Sequence, residues 1–249
     1  MKQPPILFKY SGSKRKIVPL LRTPPVHKRI VEPYLGGGAY SLAHTGPAVG
    51  YDVNQDIIDL WHFLQKVKPE RIRELESIKQ EACKAHPLNK PDARDLRLEK
   101  GEETYVRINT SGVYVGQLSS WVLYPKWKCP VEQTISLLDR AREIEVIHGS
   151  ANGYVQKDGD LVFLDPPYVG TKANYKQQAR VGIEESYRPQ DTIDLIGRLD
   201  CPIIFTYGTD AKTAFPQYEW LEVMRKKVPN IRRGGTVERI EHVAYINWN

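Results

Sequence analysis

Cysteine is scarce: Cys83, Cys129 and Cys201 are the only three in 249 residues, and they stand far apart with no metal-ligand spacing. An odd, scattered set excludes a disulfide framework and reads as reduced thiols in an intracellular protein with no metal centre. No apolar run approaches the roughly 20 residues of a membrane span, and the N-terminus lacks a signal-peptide stretch. A soluble, cytoplasmic protein without membrane association is therefore expected. Internal repeats and low-complexity tracts are missing too. Charge is only mildly one-sided, with 36 Lys and Arg against 30 Asp and Glu and a formal net charge of +6. That balance permits a polyanionic partner without requiring one. The length suits one domain carrying an insertion, with a monomer as the expected state.

What the chain does contain is a series of short strand-like runs: Arg29–Glu32, Ala48–Tyr51, Glu145–Ile147, Leu161–Leu164, Ile203–Tyr207, Leu221–Met224 and His242–Ile246. Helical patterns lie between several of them. Asp56–Val67 places Ile57, Leu60, Trp61 and Leu64 at helical spacing, Val131–Arg142 does so with Ile135 and Leu138, and Gln190–Leu199 with Ile193, Ile196 and Leu199. Strands alternating with helices predict an α/β fold, a doubly wound sheet. From about Lys68 to Pro130 the apolar periodicity weakens and charge rises, which marks this stretch as an insertion.

Directly behind the apolar run Leu161–Leu164 comes Asp165-Pro166-Pro167-Tyr168. Two prolines stop the strand, so a carboxylate, carbonyls that no ladder uses and an aromatic ring are presented at its C-terminal edge. Open α/β sheets place their ligands there. A planar amino group suits this geometry: Asp165 and the Pro166 carbonyl accept its two hydrogens while Tyr168 stacks on the attached ring. Methyl transfer to a nucleobase amine needs that arrangement, because the nitrogen lone pair is conjugated into the ring. A proline turn with a capping aspartate is the plainer reading of the same four residues.

A second signal follows the Arg29–Val31 run. Glu32-Pro33-Tyr34-Leu35-Gly36-Gly37-Gly38-Ala39 is a strand end leading into a triple-glycine turn, where the backbone can approach a ligand closely. Asp52 ends the next strand-like run, at about the distance where a nucleotide-binding fold places the acid that holds ribose hydroxyls. The glycines do not match the dinucleotide fingerprint, and no phosphate-gripping lysine follows them. NAD and ATP are thus disfavoured against an adenosine-bearing cofactor without pyrophosphate, namely S-adenosylmethionine. Glu32 either meets the charged methionine end of that cofactor or fixes the loop, and Asn54 is expected to cap the following helix. Near the N-terminus, Tyr10-Ser11-Gly12-Ser13-Lys14 reads either as a loop before a helix starting over Ile17–Leu21 or as an adenine-stacking Tyr10 with Lys14 beside the cofactor carboxylate.

Two further stretches combine positive charge with aromatic or glycine residues. Tyr105–Tyr114, with a turn signal at its centre, is followed by Trp121, Tyr124, Lys126, Trp127 and Lys128. Arg107, Asn109, Lys126 and Lys128 are candidates for phosphate contact and base stacking, against an ordinary solvated helical insertion. Arg232-Arg233-Gly234-Gly235 is a basic loop that contacts a DNA backbone or is plain surface, with Arg225-Lys226-Lys227 adding charge nearby.

Taken together, these segments resemble the Dam-type DNA adenine methyltransferases. That family orders an aromatic-small-Gly-Lys stretch, a Glu-Pro-aromatic-x-Gly-x-Gly loop, a target-recognition insertion and Asp-Pro-Pro-Tyr as this chain does. The resemblance implies a mostly parallel, seven-stranded, Rossmann-like sheet with a catalytic domain in 1–67 and 131–249 and a mainly helical target-recognition subdomain in 68–130. It implies transfer of a methyl group from S-adenosylmethionine to the N6 amino group of an adenine flipped out of duplex DNA, with S-adenosylhomocysteine as product. Cofactor contacts would come from Tyr10, Lys14, Glu32, Pro33, Tyr34, Gly36, Gly38, Asp52 and Asp165, and the adenine would be held by Asp165, Pro166, Pro167 and Tyr168. Three departures stand out. Tyr10 takes a place where relatives often carry Trp, Ser11 and Ser13 flank Gly12 where a small-Gly-Gly run is usual, and the insertion matches poorly beyond Asn109, Gly112 and Gly116. Rival expectations are methylation of an RNA base and a nucleic-acid-binding protein with a dead site.

Overall fold

The computed structural model describes residues 4–85, 90–110, 120–168, 187–229 and 235–248. Their strands form one sheet: β1 (Arg29–Glu32), β2 (Ala48–Asp52), β3 (Ile144–His148), β4 (Asp160–Leu164), β5 (Ile203–Tyr207), β6 (Leu221–Pro229) and β7 (Thr236–Ile246). The spatial order is β3-β2-β1-β4-β5-β7-β6. The pairings among β1 to β5 are parallel, while β7 runs antiparallel between β5 and β6. This is the doubly wound, mostly parallel seven-stranded sheet expected, and every strand-like run lies within a strand.

The helices are α1 (Ala39–Ala43), α2 (Gln55–Lys66), α3 (Pro69–Ala85), α4 (Lys100–Thr110), α5 (Val131–Arg142), α6 (Pro189–Gly197) and α7 (Ala211–Ala214). α2 begins where Asn54 Oδ1 accepts the Asp56 N–H at 3.0 Å, the cap expected of Asn54. It buries Ile57, Leu60, Trp61 and Leu64. The helix expected over Ile17–Leu21 does not form. Two 3-10 turns, Lys14–Lys16 and Val18–Leu20, stand in its place, and Pro19 removes a donor that a longer helix would need.

β4 and β5 bury every residue, as central parallel strands covered on both faces do. Because side chains alternate along a strand, neighbours enter different cores. Ile30, Leu161 and Phe163 join Trp61 and Tyr105 on one face, while Val31, Val162 and Leu164 join Phe205 and Trp220 on the other. The 68–130 stretch supplies α3 and α4, and its Ile72, Leu75, Tyr105, Ile108 and Leu123 share the first core with α2. No described helix is long and apolar enough to cross a membrane.

From β1 the chain moves to β2 and β3 on one side of the sheet, while β4 pairs with β1 on the other. The C-terminal ends of β1 and β4 therefore flank the switch in strand order, the crevice where open α/β sheets take ligands. At the opposite end Arg29 Nε and Nη2 each donate to Asp160 at 2.8 Å, which locks the register of the two strands.

Candidate active site

At the end of β4, Asp165 sits within a ring of polar partners. Lys14 Nζ lies 2.7 Å from its Oδ1 and donates to its Oδ2 at 2.9 Å. Thr206 Oγ1, from β5, donates to Oδ1 at 3.2 Å, and the Tyr168 hydroxyl reaches the same oxygen at 3.3 Å. Burial raises the Asp165 carboxyl above the ordinary carboxylate range, Lys14 opposes that shift, and Glu241 adds to it. Lys14 is itself 4 % exposed and also donates to the Gly12 carbonyl at 2.8 Å, so it is fixed from both sides.

Tyr168 is held as firmly. Its hydroxyl donates to Glu241 Oε2 at 3.1 Å, and its ring lies 4.5 Å from that of Tyr207. Lys14 Nζ stands 4.8 Å from the ring centroid. Gly208 permits this placement, because a Cβ there would meet Tyr168 Cε2 at 2.8 Å. Burial pushes the phenol well above its usual range, and the adjacent carboxylates of Asp165 and Glu241 add to the shift. Glu241 was absent from the sequence reasoning. It stands on β7 just before the expected strand start at His242, and it completes a set in which Asp165 and Glu241 share Lys14, the second contact being 4.0 Å.

The glycine turn follows β1. Glu32 is 2 % exposed, and its Oε1 accepts the Ser41 N–H in the short α1 at 2.6 Å. This hydrogen bond suits the reading in which Glu32 fixes the loop. Burial lifts its carboxyl to about 7, hydrogen bonds from Ser41 limit the rise, and the charge of Asp165 contributes to it. Asp52, at the end of β2, accepts the Gly36 N–H at 3.0 Å through Oδ2 and the Asn54 N–H at 2.8 Å through Oδ1. Burial brings it to about 6.

Tyr10 lies across this turn: a Cβ on Gly36 would meet its Cε1 at 2.6 Å. Gly36 and Gly38 both have positive φ, 45° and 59°, which L side chains adopt with strain. Trp61 closes the turn from below, with Nε1 donating to the Gly36 carbonyl at 2.9 Å. The N-terminal segment thus spans the crevice, with Tyr10 on the glycines of β1 and Lys14 on the aspartate of β4. Pro33 and Tyr34 are placed differently. Pro33 is buried, and the Tyr34 ring packs with the second core, its hydroxyl 3.0 Å from Thr192 Oγ1.

The residues expected at a nucleic-acid surface divide into three groups. Arg107 and Asn109 lie in α4, inside the molecule, so the sequence-based assignment is corrected. Arg107 is 3 % exposed, donates to Asp56 Oδ2 at 2.7 Å and stacks 4.0 Å from the Trp121 ring. Asn109 accepts the Lys9 N–H at 2.8 Å and donates to the Tyr105 carbonyl at 2.8 Å. Both are taken up by protein groups. Lys126 and Lys128 are exposed, and Lys126 Nζ stands 5.3 Å from the Trp127 ring centroid. Arg232 and Arg233 lie outside the described residues, as do Gly112 and Gly116.

Part of the chain is similar to a known family. Residues 10–107 match the model of the D12 class N6 adenine-specific DNA methyltransferase family. That span begins at Tyr10, holds Lys14, the glycine turn and Asp52, and ends before Asp165. The type II methyltransferase M1.LlaDCHI of Lactococcus lactis subsp. cremoris is 27% identical over 184 residues, which cover 65% of this chain and 64% of that protein. The chain thus spans somewhat less than two thirds of that relative's length. Among solved structures, the C-terminal domain of precorrin-6Y C5,15-methyltransferase from Rhodobacter capsulatus matches 98% of this chain and 100% of its own at 11% identity and a TM-score of 0.39. A dimethyladenosine transferase from Plasmodium falciparum matches 96% and 62% at 9% identity and a TM-score of 0.34. Over residues 10–107, then, the chain is similar to the D12 class N6 adenine-specific DNA methyltransferases.

Proposed function

We propose that the protein methylates the N6 amino group of adenine in DNA, using S-adenosylmethionine, with the target base flipped into the space beside Asp165 and Tyr168. The observation that carries this reading is the Lys14–Asp165–Tyr168 set at the strand-order switch, one strand over from a glycine turn covered by an aromatic ring. The residues around that turn suit the cofactor. Gly36 and Gly38 leave the backbone bare, Tyr10 offers a ring face, and Asp52 keeps acceptor capacity for ribose hydroxyls beyond its two backbone hydrogen bonds. When bound, S-adenosylmethionine supplies an electrophilic methyl group on a sulfonium centre.

The chain's own groups then orient the acceptor. Asp165 and the Pro166 carbonyl accept the two amino hydrogens, which favours a pyramidal nitrogen and frees its lone pair. Tyr168 stacks on the purine, and its hydroxyl, tied to Glu241, fixes the plane of the ring. Lys14 opposes the rise that burial gives the Asp165 carboxyl and so favours its acceptor form. Alignment of this kind supplies a large share of a transfer rate. Flipping costs a few kcal/mol of stacking and pairing, offset by stacking on Tyr168 and by phosphate contacts such as Lys126 and Lys128 could make. In this reading 68–130 carries target recognition through its exposed groups and leaves Arg107 and Asn109 to hold the insertion together.

The test is methyl incorporation from labelled S-adenosylmethionine into duplex DNA and ribosomal RNA, followed by mapping of the modified base. Label in DNA at adenine N6 is expected. Asp165→Ala should retain binding of S-adenosylhomocysteine and lose transfer, and near-normal turnover in that variant would refute the role assigned to Asp165.

A further inference from the structure

The β6–β7 hairpin has two chemically different faces. Its register pairs Lys226 with Arg239 and Met224 with Glu241, so these four side chains share one face by the alternation of strands. Lys227 pairs with Glu238 and Arg225 with Ile240 on the other. On that second face Arg225 is matched, contacting Glu222 at 2.7 Å and Glu238 at 2.9 Å, and Lys227 is exposed opposite Glu238 in the register. On the first, Lys226 and Arg239 have no ion pair among the described residues, and the acid they share the face with is committed to Tyr168 and Lys14.

The direction of the first face is set by those same contacts. Glu241 reaches the Tyr168 hydroxyl at 3.1 Å, and further along β7 Tyr245 stacks with Arg22 at 4.8 Å, so the face looks onto the N-terminal segment and the site. Arg239 lies two residues beyond Glu241, about 7 Å along the strand. Lys226 is half-buried there. Burial lowers its pKa, Glu241 opposes that, and the charges of Lys16, Arg239 and Lys14 lower it further. A half-buried lysine with the exposed Arg239 beside it is favoured by an anion that joins the pair.

We propose that Lys226 and Arg239 bind a phosphate of the target DNA strand beside the nucleotide received at Tyr168. This rests on DNA being the substrate, and it separates two members of the Arg225-Lys226-Lys227 trio that the sequence alone leaves equivalent. The other anion to consider is the cofactor's carboxylate, which the reading of Lys14 places near Asp165 and Glu241. Arg239 is exposed and lies beyond Glu241, which favours a strand passing over the rim, and cofactor affinity in the variants below separates the two anions.

Equilibrium binding of a fluorescent duplex, measured over a range of salt concentrations, tests this. Lys226→Ala and Arg239→Ala should each reduce the slope of log K against log salt by about one, and Arg239→Lys should restore it. Lys227→Ala, on the other face, should leave the slope at the wild-type value, and S-adenosylhomocysteine affinity should be the same in all variants. Equal losses for Lys226→Ala and Lys227→Ala, or no loss in either, would overturn the assignment. So would a selective loss of S-adenosylhomocysteine affinity, which would transfer the pair to the cofactor. Any of these results in the variants, with wild-type protein that methylates DNA, refutes the hairpin contact alone. Wild-type protein that neither binds nor methylates DNA refutes the substrate reading, and the contact with it.

Discussion

Replacing Glu32 by Gln gives the most quantitative test of the site's electrostatics. Glu32 is almost wholly buried and accepts a backbone N–H from Ser41, and burial lifts its carboxyl from 4.5 to about 7. A folded-state pKa above the unfolded value means that the native protein holds the proton more tightly. The stability linked to this group is fully present below about pH 4.5 and is lost as pH rises through about 7. The difference of about 2.5 units corresponds to about 3 kcal/mol at 1.36 kcal/mol per unit. Gln keeps an acceptor for the Ser41 N–H and cannot ionise. Urea unfolding of both proteins between about pH 4 and about pH 8 should therefore show the variant gaining about 3 kcal/mol on wild type as pH rises. Because the charge of Asp165 contributes to the shift, the same comparison in an Asp165→Asn background should show a smaller gain. A stability difference constant to within about 0.5 kcal/mol over that range would mean that burial does not govern this carboxyl.

Three other perturbations separate roles within the molecule. Glu241→Gln replaces a charged acceptor of the Tyr168 hydroxyl by a neutral one, worth about 1–2 kcal/mol, so kcat/KM for DNA should fall roughly tenfold. The KM for the cofactor should hold, and the substitution should add nothing in a Tyr168→Phe background; an additive loss there would place Glu241 elsewhere in the mechanism. Gly208→Ala puts a Cβ 2.8 Å from the Tyr168 ring, which should displace the ring, cost about 1–3 kcal/mol of stability and lower kcat, read by unfolding and single-turnover methylation. Arg107→Met leaves Asp56 with Lys100 at 2.8 Å as its remaining ion-pair partner and should cost about 3 kcal/mol in chemical denaturation, with the DNA salt slope unchanged. A reduced slope in that variant would restore the phosphate role expected from sequence.

The central strands were legible because their burial is complete. Leu161–Leu164 and Ile203–Tyr207 are unbroken or nearly unbroken apolar runs, and both lie in strands covered on two faces. Their order could be read only as a class, since nothing local records which strand neighbours which. The hairpin ends were not legible for the converse reason. Apart from the half-buried Val228 and Ile240, Arg225–Val228 and Thr236–Glu241 are polar or exposed, and they are strand because each pairs with the other and because Arg225 is braced by Glu222 and Glu238. An apolar period is absent where pairing alone makes the strand, so Glu241 fell outside the expected run by one residue.

The same blindness to distant partners explains Arg107. Its neighbours Tyr105 and Ile108 carry a helical spacing that the turn signal at Ser111-Gly112 obscured, and its counter-charge, Asp56, lies 51 residues away. A basic residue among aromatics therefore gives the same sequence signal whether it faces a phosphate or a buried carboxylate. What distinguishes the two is the acid brought to it by another element. Lys14 and Arg107 are both buried with carboxylates, yet only the partner of Lys14 lies at the C-terminal end of β4, where strand order opens a crevice. Position at that switch gives a buried ion pair access to a ligand. Away from it, the same chemistry holds two helices together.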